Sequence, residues 1–143
     1  MDRKEFLSQL GMGAAGLVLF GCMGGCEKET VPAAPTNVNI TLDMTTTAYA
    51  KLLTPGQFAY TSNGIIVALT IGTTTNPSKY LAVSQYCTHQ GVTVEFLSGS
   101  SDFYCTAHNS KFNATGAVVS GPAGSALKQY SVTQTGNILT ITG

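Results

Sequence analysis

Short alternating runs of apolar and polar residues, cut by turn-forming residues every few positions, predict an antiparallel all-β domain over 38–143. Two further observations agree. The composition favours Thr, Val, Ile and Tyr and carries 16 Gly, which suits strands and turns better than helices. Beyond the first 20 residues no stretch repeats its apolar positions at the helical period. With 143 residues the chain is long enough for one domain with a modest core. Charged residues make up 10 %, the formal net charge is zero and there is no Lys/Arg run, so nucleic-acid binding has little electrostatic support.

Residues 1–21 read as a lipoprotein-type signal peptide. Arg3 and Lys4 make a positive start, diluted by Asp2 and Glu5. Leu10 to Phe20 is then 11 residues of apolar side chains and glycine, short of the ~20 that span a bilayer and suited to a signal's apolar stretch. It ends in Leu19-Phe20-Gly21-Cys22, which resembles a bacterial lipobox with Cys22 as the lipidated residue, although Phe20 is bulkier than usual. Cys26, after Met23-Gly24-Gly25, is a poorer candidate. Arg3-Lys4-Glu5-Phe6-Leu7 also looks like a twin-arginine signal with Lys in the second Arg place, so both export routes stay open. Residues 22–37, which include Pro32-Ala33-Ala34-Pro35, read as a lipid-anchored cysteine followed by a flexible linker with a stiffer end.

The strands follow in order. Val38 to Met44 alternates. Gln57 to Tyr60 and Ile65 to Ile71 flank Ser62-Asn63-Gly64, a hairpin signal because Asn-Gly supplies positive φ. A helical turn is expected near Ala48 to Leu53, and Thr74 to Ser78 is a turn. Tyr80 to Ser84 is a strand leading to Cys87. Val92 to Phe96 and Asp102 to Tyr104 form a second hairpin entering Cys105. Ala117 to Ser120 is short, and Gln129 to Gln134 pairs with Asn137 to Thr142 across Thr135-Gly136.

Both histidines, and every cysteine beyond residue 26, fall in Cys87-Thr88-His89 and Cys105-Thr106-Ala107-His108. The pattern is C-x-H, 15 residues, then C-x-x-H. Each cluster sits just after a strand, where loops on a rigid scaffold carry ligands. The four cysteines could instead form two disulfides in an exported protein. A bridge, however, has no need of a neighbouring His. Two thiolates and two imidazoles can hold zinc, but zinc modules place like ligands together and each pair here is mixed. They can also hold an iron–sulfur centre, which suits soft thiolates and imidazoles.

The two clusters resemble the Rieske family, whose [2Fe–2S] cluster has two Cys on one iron and two His on the other. The likeness covers about residues 80–130. It implies an antiparallel Rieske-like β-domain over 38–143, two cluster-binding loops and one [2Fe–2S] cluster. Cys87 and Cys105 would ligate the inner iron, and His89 and His108 the outer one. Gly91 follows the first cluster as the family pattern expects, and His108-Asn109-Ser110-Lys111-Phe112 resembles the family's His-Gly-Ser-x-Tyr/Phe. Ser110 would donate to a bridging sulfide, and Gly121-Pro122-Ala123 resembles the proline loop that shields the cluster.

Departures from the family are as informative. Val92 and Ala107 stand where Rieske subunits of cytochrome bc complexes carry a bridging cysteine pair. Phe112 replaces a Tyr that donates to a ligand sulfur, and Gln90 replaces an apolar neighbour of the first His. Fewer donors leave the reduced state less stabilised, so the expected potential is about −150 to +100 mV, below the top of the family range. No nucleophilic catalytic set is visible, because both histidines are committed, and Asp43, Glu95 and Asp102 are scattered. Tyr86 and Tyr104, just before the ligand cysteines, read as core. The resemblance implies an electron carrier, anchored by lipid outside the cytoplasm (periplasmic or on the outer face of a bacterial membrane). Its partners would be a redox donor and an acceptor such as a cytochrome or membrane oxidoreductase. Alternatives are a Rieske subunit of a cytochrome bc-like or other respiratory complex, a ferredoxin for a ring-hydroxylating oxygenase, and a non-redox β-domain with structural zinc.

Overall fold

The computed structural model describes residues 30–143. The predicted signal peptide, Cys22 and Cys26 lie outside the described residues. Ten strands follow in chain order: β1 (Asn39–Asp43), β2 (Phe58–Tyr60), β3 (Ile65–Leu69), β4 (Tyr80–Ser84), β5 (Glu95–Leu97), β6 (Asp102–Tyr104), β7 (Lys111–Phe112), β8 (Val118–Ser120), β9 (Gln129–Thr135) and β10 (Ile138–Thr142). One sheet has six strands in the order β1-β10-β9-β4-β3-β2, and a smaller one has four in the order β5-β6-β7-β8. All the strand pairs are antiparallel, as the alternation predicts. The expected helical turn is a 3₁₀ turn, Ala50–Leu53.

β4 pairs directly with β9, Ala82 opposite Tyr130 and Val83 opposite Gln129. The four-stranded sheet is therefore an excursion whose two ends are held side by side by the larger sheet. This insertion carries both Cys/His clusters.

The central strands are buried on both faces. Every residue of β3 is buried. Ile66 and Ala68 of β3, with Leu81 and Val83 of β4, face Val94, Phe96, Phe103 and Phe112 of the insertion. Ile65, Val67 and Ala82 face the other way, onto Leu42, Met44, Leu52, Leu139 and Ile141. Because β1 and β10 belong to the same sheet as β3, that sheet curls around its own core. Burying one such side chain is worth about 1.5–3 kcal/mol, so the double-sided burial of β3 and β4 is what fixes the platform under the insertion.

Two departures from the sequence reading have physical causes. The strand expected from Val92 begins only at Glu95. Thr93 instead bridges to Tyr86, and Val94 N–H donates to Gln85 O (2.8 Å), because this stretch closes the loop after Cys87. β7 went unpredicted because two residues cannot display an alternation. The first hairpin is as expected: Gly64 has φ +79°, and a Cβ there would stand 2.8 Å from the Tyr86 ring.

Candidate metal centre

Both cysteines open loops of the same construction. Cys87 N–H donates to Val92 O (2.8 Å), and Cys87 O accepts from Gly91 N–H (2.7 Å). Cys105 N–H donates to Ser110 O (2.8 Å), and Cys105 O accepts from Asn109 N–H (3.0 Å). In each, the fourth residue past the cysteine has positive φ: +75° at Gly91 and +63° at Asn109. That conformation favours Gly and tolerates Asn, which accounts for both residues at once. The histidine follows its cysteine by two residues in one loop and by three in the other.

The loops deliver the sulfurs to one place. Cys87 and Cys105 are buried and form no disulfide. Desolvation raises the Cys87 pKa, the neighbouring Cys105 thiol adds to the rise, and bonds from the His89 backbone and the Ser110 side chain offset part of it. Two buried cysteines brought together on matched loops offer a pair of soft sulfur ligands.

The imidazoles meet on the outer side. The His89 and His108 rings lie 4.8 Å apart, centroid to centroid, at an interplanar angle of 87°. His89 Nδ1 is buried without a hydrogen-bond partner, whereas His108 is exposed. A buried ring nitrogen with no partner is costly unless it binds something. Two cysteines on matched loops and two imidazoles in ring contact are the donor types that a cluster with two Cys on one iron and two His on the other takes. The donor set thus fits the [2Fe–2S] group.

The surrounding residues divide by burial. Ser110 has no exposed surface, and its Oγ accepts from Ala123 N–H (3.0 Å). Phe112 is fully buried in the same core cluster as both cysteines. Pro122 is exposed, and it is the next residue, Ala123, that turns inward. Two further residues contribute: Thr88, which the sequence reading does not single out, and Tyr104, expected in the core but only partly buried. Thr88 Oγ1 donates to Ser125 O (2.6 Å), tying the first loop to the segment after Pro122. Tyr104 OH donates to Asn109 Oδ1, bracing the second loop. The Thr88 contact crosses 37 positions and leaves no local signal.

The family model of the Rieske [2Fe-2S] domain matches residues 49–131, more than half of the chain. The match takes in both loops and the central strands and omits β1 and β10. The chain is 28% identical over 143 residues to the cytochrome b6-f complex iron-sulfur subunit of Chlorobaculum thiosulfatiphilum, covering 98% of this chain and 75% of that one. It is 30% identical to the plasma membrane Rieske protein PetC3 of Synechocystis PCC 6803, covering 60% of this chain and 84% of that one, with a TM-score of 0.49. The ferredoxin of carbazole 1,9a-dioxygenase from Nocardioides aromaticivorans IC177 shares the fold, with a TM-score of 0.51, 20% identity, and 76% of this chain and 98% of that one covered.

Proposed function

The chain belongs to the Rieske [2Fe–2S] family, and from that premise we propose that it is a one-electron carrier anchored by lipid outside the cytoplasm. The cluster, when bound, takes up and releases single electrons. Cys87 and Cys105 would hold one iron inside the apolar pocket, and His89 and His108 would hold the other. Nδ1 of His89, buried and without a hydrogen-bond partner, is the nitrogen that would ligate. Ser110 would donate to the sulfur side of the centre, with its oxygen steadied by Ala123 N–H. The single observation that carries this reading is the pairing of two matched loops, sulfur to sulfur and ring to ring.

Anchoring rests on the Leu19-Phe20-Gly21-Cys22 pattern. Radiolabelled palmitate should enter the wild-type protein and not Cys22→Ser, with the variant released from membranes. Stopped-flow oxidation of the reduced protein by a c-type cytochrome tests the transfer itself. Absence of any electron exchange with cytochromes or membrane extracts would overturn the carrier role. A second reading is a subunit of a cytochrome b6-f-like complex. The 28% identity over nearly the whole chain favours it. Co-purification with haem subunits from solubilised membranes would support it over a free carrier.

A further inference from the structure

The segment ahead of β1 reaches both the cluster-bearing insertion and the six-stranded sheet. At one end, a Cβ built on Gly91 would stand 2.5 Å from Pro32 Cδ and 3.4 Å from Val31 Cα. The linker therefore lies directly on the Cys87 loop, over the residue whose N–H closes that loop onto Cys87 O. At the other end, Pro35 O accepts from both Lys128 Nζ (3.0 Å) and Tyr130 OH (2.8 Å). Lys128 is held for this by its position over the Tyr130 ring, 5.0 Å from the centroid. Three residues later the chain is in the sheet, with Val38 N–H donating to Gly143 O (2.7 Å). Two prolines in four residues give the segment a stiff extended shape that spans the gap at little entropic cost.

We propose that residues 31–35 form a strap that positions the Cys87 loop, with Pro32 as the positioning residue and Lys128 and Tyr130 as its fastening. This rests on the reading of that loop as half of the cluster site. Gly91 then has two reasons to lack a side chain: its positive φ and the linker packed against it. The strap restrains a loop that lacks the second cysteine with which it could be bridged to its partner loop, since Val92 and Ala107 occupy those positions. It also means that the linker is held at the metal centre itself, so strain on the leader is felt two residues from His89.

The other loop supplies an internal control. Asn109 N–H donates to Cys105 O in the same way that Gly91 N–H donates to Cys87 O, while the hydrogen bonds that fasten the strap go to Lys128 and Tyr130 and not to this second loop. The test compares the full-length wild type with Pro32→Ala and with the double variant Lys128→Ala/Tyr130→Phe. Hydrogen exchange by mass spectrometry follows peptides over 87–92, 105–110 and β3–β4, and a redox titration follows the midpoint. Freed of the strap, 87–92 should exchange about tenfold faster or more, with 105–110 and β3–β4 unchanged. Water admitted there favours the more negatively charged reduced state, so the midpoint should rise. Equal exchange in wild type and variants, acceleration in both loops alike, or an unmoved or lowered midpoint overturns the proposal. Iron and sulfide content, measured on each preparation, separates failure of the strap from failure of the cluster assignment.

Discussion

Ser110 concentrates the residue-scale physics of the centre. Its hydroxyl has no exposed surface, its oxygen accepts from Ala123 N–H, and its hydrogen is left for the Cys87 sulfur. Ser110→Ala removes that donor from the more negative reduced state, so a redox titration should find a lower midpoint. It also orphans Ala123 N–H, for about 1–3 kcal/mol of stability by denaturant melt. Phe112 cannot donate where related proteins carry Tyr, so the wild-type midpoint should itself lie below about +200 mV, inside the family range; a higher value contradicts the donor argument. Without metal, Cys87 has a raised pKa, mainly through desolvation. The folded state therefore keeps its thiol proton where the unfolded chain has lost it. This stability is fully present below the unfolded thiol's pKa, about 8.5, and drains away as pH rises through the raised folded value. Melts of the apoprotein from pH 7 upward should show a decline that begins near there and is absent in Cys87→Ala.

At the scale of elements, the two loops were half legible in the sequence. Their cysteines, histidines and left-handed residues stand out as types. Their matched construction does not, because His89 and His108 sit at different offsets and the closing bonds are between backbone groups. The hairpin at Asn63-Gly64 and strand β4 were readable because alternation and turn chemistry are local signals. β7 and the Thr88–Ser125 tie were not, since one is two residues long and the other is non-local. Gly116 marks the same limit: its φ of +84° fits a turn, but the 2.6 Å from its would-be Cβ to Leu127 O appears only in the fold. Gly116→Ala should cost at least the ~1–2 kcal/mol of the left-handed conformation, read as a lowered melting midpoint. In the second loop, Asn109→Gly should keep wild-type stability more nearly than Asn109→Ala, because Gly accepts φ +63° without strain.

At the scale of the molecule, a double-sided core presents an uncharged tip. Between Ser84 and Val94 there is no charged residue, and between Cys105 and Leu127 only Lys111, which pairs with Asp102 at 2.9 Å. A neutral tip offers a partner no electrostatic steering. Electron-transfer rates with a cytochrome should therefore change less than about twofold between low and physiological salt; a steep fall would place recognition elsewhere on the surface. The all-β class and the location of the centre follow from composition, alternation and two short motifs. The insertion between β4 and β9 does not, because strand order is a long-range property. The most direct test of the central claim, that four side chains from two loops grip one two-iron cluster, is metal and acid-labile sulfide analysis joined to nitrogen-resolved EPR of the reduced protein. Two irons and two sulfides per chain are expected, with coupling to two histidine nitrogens and loss of one coupling in His89→Cys or His108→Cys. One zinc per chain with no reduced-state signal would contradict it.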